Sequence, residues 1–174
     1  MGTINGLPAH ILLVHAIVVL LPLAALLLVL TAISPSLRRR LAGPNAILSV
    51  LVVALVPVTT SAGEWLEHRV TDSALLRDHT ELGDTAIWAA IPVALLALVI
   101  WWRQREAGAA AGQRTYLAAG SAAITKIVIA LAVIIAGFAV YDTYRIGDSG
   151  AKASWTGNFS STPSQEGPGQ RDGD

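Results

Sequence analysis

Residues 6–24 read GLPAHILLVHAIVVLLPLA, an apolar run opened by two histidines, His10 and His15. The run continues to Thr31 and meets basic residues only at Arg38, Arg39 and Arg40. That exceeds the ~20 residues needed to cross a bilayer as a helix. A secretory signal would carry a basic leader, a short apolar core and a small-residue cleavage site. The leader MGTINGLPAH contains neither Lys nor Arg. The stretch is therefore expected to be a retained transmembrane helix over about Pro8–Ala32. Pro8 suits its first turn, where a missing N–H costs nothing.

The rest of the chain repeats the theme. Of 174 residues, 53% are hydrophobic and only 14% charged, and the mean hydropathy is +0.58. This composition belongs to membrane proteins. Three further apolar segments follow: about 44–62, after a break expected at Gly43-Pro44, then about 85–102 and about 116–141. The expected fold is all-α, an integral membrane four-helix bundle formed by residues 1–144. Residues 145–174, rich in Gly, Ser, Pro, Asp and Gln, are expected to form a disordered polar tail. Such a composition buries too little apolar area to offset its ordering entropy.

Orientation follows from the basic residues. The first connection holds Arg38, Arg39 and Arg40, and the third holds Arg103, Arg105 and Arg114 against the single acid Glu106. The 63–84 connection carries only Arg69 and Arg77, with six acids: Glu64, Glu67, Asp72, Asp78, Glu81 and Asp84. The positive-inside rule counts Lys and Arg, and so places both termini outside a plasma membrane. Trp101 and Trp102 would mark the inner interface, and Trp65, Tyr141 and Tyr144 the outer one.

Several function classes are excluded or unsupported. There is no cysteine, and the only methionine is Met1. Disulfides, thiolate-held clusters, covalent haem and cysteine catalysis are thereby excluded. Formal net charge is zero, so nothing points to a nucleic-acid partner. No nucleophile elbow, P-loop, HExxH or glycine-rich nucleotide fingerprint occurs, and no catalytic residue is expected.

The four histidines all fall at the expected outer end. His15 lies roughly 7–8 Å deeper along its helix than His10, and an intramembrane titratable ring is by default a functional candidate. Five residues correspond to about 140° round a helix, so one helix cannot offer both rings to one ion. Any site must be assembled between helices. Glu64 and His68, four residues apart, share a face if the helix continues through EWLEH. His79, Gly83, Ala86 and Ala90 share another if a helix begins near Asp72. Small residues there leave room for a neighbouring helix or a flat macrocycle. Neutral imidazoles are suitable axial ligands for b-type haem. The first ligand pair expected is His15 with His79, and the second His10 with His68. The alternatives are an outer divalent-metal site built from His10, Glu64, His68 and His79, or an accessory subunit whose histidines only hydrogen-bond. Lys126 reads as a snorkelling residue if the fourth span begins near Ala122.

Three stretches, LPAHILLVHAIVVLLPLA, TTSAGEWLEH and RDHTELGDTAIW, together resemble the bacterial membrane-protein family known as domain of unknown function 2231. The likeness spans about residues 6–141. His10 and His15 match the family's opening histidines, Ser61-Ala62-Gly63 its small-glycine segment and His79 its later histidine. Ile11 and Ala16 stand where the family pattern has proline and phenylalanine. The resemblance implies a four-helix membrane protein. Family members fused to Rieske iron–sulfur domains imply a redox setting, with a redox protein or membrane complex as partner besides the lipid bilayer.

Overall fold

The computed structural model describes residues 2–108, 116, 117 and 120–160. A short hairpin precedes the helices: β1 (Thr3–Ile4) pairs antiparallel with β2 (Leu7–Pro8). Its turn is Asn5-Gly6, with φ of 50° and 80°. Two successive positive φ values are what a tight type I′ hairpin turn requires, and Asn-Gly is the pair that supplies them. The hairpin lays Gly2 against the Trp65 indole, so close that a Cβ there would stand 3.0 Å from the ring.

Five helices follow among the described residues: α1 (Ala9–Ile33), α2 (Pro35–Glu67), α3 (Ala74–Gly83), α4 (Ala86–Ala107) and α5 (Ala122–Trp155). Four segments are long and apolar enough to cross a membrane, α3 being the polar prelude to the third. The protein is an integral membrane four-helix bundle. Around the bundle the order is α1, α2, α4, α5, with α3 lying on α5.

The core is built from small side chains. Ala24, Ala25, Ala89, Ala90, Ala97, Ala132 and Ala139 are buried, with Leu21, Leu28, Val52, Val56, Val93 and Ile100 between them. Lipid tails are as apolar as leucine, so membrane helices associate through close packing rather than hydrophobic exclusion. Larger apolar residues such as Val19, Leu26, Ile47, Leu51 and Ile134 face outward. Asn45 adds a polar tie: with its amide turned to satisfy both groups, the nitrogen donates to Ala24 O at 3.3 Å and the oxygen accepts from Leu28 N–H at 3.2 Å.

Three boundaries differ from the sequence reading. First, no break occurs at Gly43-Pro44; α2 runs unbroken from Pro35, and Ser34 alone separates it from α1. Ser34 serves both helices. Its N–H closes α1 on Leu30 O at 3.0 Å, and its hydroxyl accepts from Leu37 N–H at 3.4 Å. Pro44 deprives only the carbonyl of Arg40, an exposed residue, of its helical partner. Gly43 has a packing role, since a Cβ would stand 3.4 Å from Trp101 Nε1. Second, the acidic connection contains α3, capped by the Ser73 hydroxyl accepting from Leu76 N–H at 3.1 Å.

Third, the last helix begins at Ala122 rather than near Tyr116, capped by Ser121, and it continues to Trp155. Residues 145–155, read as polar tail, are helical because α3 packs along them. Lys152 also reaches Asp148 one turn back, at 2.6 Å. The start at Ala122 puts the exposed Lys126 one turn into α5, as the snorkelling reading requires. Arg114 and the rest of the expected tail, 161–174, lie outside the described residues.

Candidate functional site

Antiparallel packing brings the start of α1, the end of α2, all of α3 and the end of α5 to one end of the bundle. His10 sits in the first turn of α1, half-buried, and points across to α2. Its Nδ1 lies 3.0 Å from Thr59 O. A carbonyl only accepts, so Nδ1 carries the proton. The ring rests on Gly63, where a Cβ would come 3.0 Å from Cε1 and Nδ1. Glycine at that position is what seats the imidazole.

His79 repeats the arrangement from α3. Its Nδ1 lies 3.0 Å from Ser149 Oγ on α5, and that hydroxyl donates to Ile146 O at 2.9 Å. With the hydroxyl proton on Ile146 O, the serine oxygen accepts from His79 Nδ1–H. Gly150 lies beneath the ring; a Cβ there would be 2.9 Å from His79 Cε1.

The two rings face each other edge to face, with centroids 6.3 Å apart and planes at 73°. A neutral ring that donates through Nδ1 keeps its Nε2 lone pair, and metal-ligating histidines characteristically have their other nitrogen anchored in this way. His10 and His79 line one cavity of about 60 Å³, whose remaining walls include Val14, Ile17, Val56 and Thr143.

His15 and His68 are elsewhere. His15 is exposed on the outward face of α1, its Nδ1 turned to Ile11 O in its own helix at 2.5 Å. The 140° between positions 10 and 15 forces this: once His10 faces inward, His15 faces out. His68 caps the end of α2 and is exposed, as is Glu64. The structure thus unites one member of each expected pair, His10 with His79, and separates the rest. Among the described residues no three His, Asp or Glu side chains gather to hold a metal ion, so the set His10, Glu64, His68 and His79 is not assembled.

Sequence reading missed Ser149 and Gly150, because DSGAKAS was assigned to the tail, although Asp148 and Lys152 stand at helical i,i+4 spacing. It gave no role to Thr59, which opens the stretch TTSAGEWLEH and whose carbonyl receives His10. It also passed over Asp142, which is 4% exposed. Asp142 Oδ1 lies 2.9 Å from Thr85 Oγ1, and Oδ2 has no partner among the described residues.

Gly63 of the small-glycine segment thus seats the opening histidine His10, and Gly150 seats the later histidine His79. The model of the family described as "Predicted membrane protein (DUF2231)" matches residues 6–163. The chain belongs to this family. The DUF2231 match extends past Trp155, so it takes in the Ser149-Gly150 seat of His79 as well as the four spans. Comparison with curated proteins and with solved structures finds no match.

Proposed function

We propose that this DUF2231 protein is a metal-cofactor-binding membrane subunit that holds its metal between His10 and His79 and serves electron transfer at the outer membrane face. One observation carries the reading: two imidazoles, each anchored through Nδ1 to a different helix, line one cavity with their centroids 6.3 Å apart. The outer assignment rests on the arginines at the opposite end of the bundle.

A b-type haem, if bound, would be held by His10 and His79 and would supply one-electron redox chemistry. Cofactor pockets usually offer roughly 300–1,000 Å³, and the cavity is about 60 Å³. A macrocycle therefore requires α3 to move aside, and α3 has no buried residue of its own to resist that. The competing reading is an accessory subunit whose imidazoles only clasp the helices, and the bonds to Thr59 and Ser149 favour it.

Absorption spectra of the detergent-purified chain, oxidised and then reduced, together with its metal content, separate the two. The metal reading expects a bound metal or haem that is lost in His10→Ala and in His79→Ala but kept in His15→Ala. Protein that carries none, after expression with ample haem and transition metals, leaves the clasp.

A further inference from the structure

We propose that the groove between α3 and α5 is a headgroup site for a single phospholipid of the phosphoethanolamine type. The groove is separate from the histidine cavity and requires no metal. It holds about 250 Å³, the space of roughly eight waters. Leu75, Asp78 and Leu82 stand on its α3 wall, and Arg145, Asp148 and Lys152 on its α5 wall. Each set recurs at spacings of three and four residues, one face of a helix.

Charge selects the ligand. Two acids and two bases line the groove, so their formal charges cancel. Lys152 and Asp148 satisfy one another at 2.6 Å. Asp78 and Arg145 remain, one on each wall, and neither has a hydrogen bond or ion pair among the described residues. Arg145 has the face of the Tyr141 ring, its guanidinium carbon 5.9 Å from the centroid. A purely anionic ligand would gain from Arg145 and be repelled by Asp78, and a cation would meet the reverse. A ligand carrying both charges gains at both walls. The arginine fork suits a phosphate, and a carboxylate accepts from an ammonium.

Depth and the surface below the groove point to a lipid rather than a solute. α5 begins at Ala122, and a span of ~20 residues reaches the interface near Tyr141. Arg145 stands one turn higher, about 6 Å. The headgroup layer extends roughly 5–8 Å beyond the hydrocarbon on each side, so Arg145 lies within it. Tyr141, Phe138 and Ile134 follow below Arg145 on the same face of α5, and all three are exposed. They offer an acyl chain a continuous apolar track from the groove into the bilayer, which a water-soluble zwitterion does not use. Bound across the groove, the headgroup ties α3 to α5, and α3 buries no residue of its own.

The test is native mass spectrometry of the full-length chain, purified in detergent, delipidated and titrated with phosphatidylethanolamine, phosphatidylcholine or phosphatidylglycerol. The expected result is one phosphatidylethanolamine held per chain. Exposed charge pairs are individually weak, so the preference over the other two should be roughly three- to tenfold. Phosphatidylcholine has no N–H for Asp78, and phosphatidylglycerol has no cation. Arg145→Gln should weaken all three lipids, whereas Asp78→Asn should erase the preference for ethanolamine over choline and keep a bound lipid. Arg77→Gln, which removes an arginine paired with Asp72 outside the groove, should change nothing. Thermal unfolding of each variant checks the fold. Equal retention of the three lipids, a preference for phosphatidylglycerol, or lipid binding untouched in both Arg145→Gln and Asp78→Asn would overturn the assignment. So would displacement of the lipid by free phosphoethanolamine at matched concentration, which would make the groove a site for soluble zwitterions.

Discussion

The two ends of the bundle treat their polar groups in opposite ways. At the arginine end, Arg103 is 5% exposed and donates to Leu117 O at 2.5 Å and Thr125 Oγ1 at 2.9 Å. Glu106 there accepts from the Tyr116 and Leu117 backbone N–H groups and from Trp102 Nε1, at 2.7–3.0 Å. These charges fasten the connection after α4 onto the bundle. At the α3 end the imidazoles each tie one helix to another through Nδ1 and line a cavity with the rest of the ring. Polar groups whose bonding is complete hold structure together. Groups held in place with capacity left over are what a ligand needs.

Removing a group from each end tests that contrast, and the largest effect is expected at Arg103. Arg103→Met leaves Leu117 O and Thr125 Oγ1 without their donor. Hydrogen bonds to charged groups contribute roughly 1.5–3 kcal/mol each, so a loss on the order of 3 kcal/mol is expected in detergent unfolding. Metal content should be unaffected in the fraction that folds. A variant as stable as the parent would mean that the arginine end is not the structural one.

Gly63→Ala comes next. The added Cβ would stand 3.0 Å from the His10 ring, and overpacking of this kind costs typically about 1–3 kcal/mol. Gly150→Ala meets His79 at 2.9 Å, but there the opposing element is the surface helix α3, which can give way. It should cost less stability than Gly63→Ala. Both should release bound metal, because each moves one ring. Retained metal in both variants would show that the glycine seats do not set the ring positions.

The spans were readable because each is a long apolar run, and the bilayer fixes the length such a run must have. The ends were harder to read, for identifiable reasons. Gly43-Pro44 resembles a helix break, yet the helix runs through it, the proline costing one helical bond at the exposed residue Arg40 and the glycine packing on Trp101. Residues 145–155 look like tail because their helical state depends on α3, a tertiary contact that composition does not encode. Helical phase separated His10 from His15, but phase alone does not say which of them faces inward. Packing decided that: Gly63 gives His10 a place to rest, and position 15 has no equivalent in its neighbours.

His10→Leu therefore has a measurable cost. It strands nothing charged, but removes the donor to Thr59 O and leaves an apolar side chain where an imidazole spanned from α1 to α2. A neutral hydrogen bond contributes about 0.5–1.5 kcal/mol, so a loss on the order of 1 kcal/mol is expected, together with complete loss of bound metal. Loss of stability with metal retained would remove His10 from the ligand pair.

The smallest effect is expected five residues on, at His15, where sequence reading anticipated the larger one. A histidine set deep in a membrane span suggests a partner inside the bundle, and His15→Leu would then strand whatever it served. The structure instead turns His15 outward, with its ring nitrogen bonded to Ile11 O one turn back on its own helix. That carbonyl belongs to the helix ladder and is satisfied without the side chain, so nothing is left unpaired when the ring goes. Leucine also suits a face shared with Ile11, Leu12, Val18 and Val19, all exposed to the same apolar surroundings. Exposed substitutions of this kind usually stay within about 0.5 kcal/mol, and His15→Leu should fall in that range or be slightly stabilising, with metal content unchanged. Thermal unfolding of His10→Leu and His15→Leu, side by side in one detergent, checks the ordering. If His15→Leu loses more stability or more metal than His10→Leu, α1 is rotated from the orientation described, and the ligand pair returns to His15 and His79.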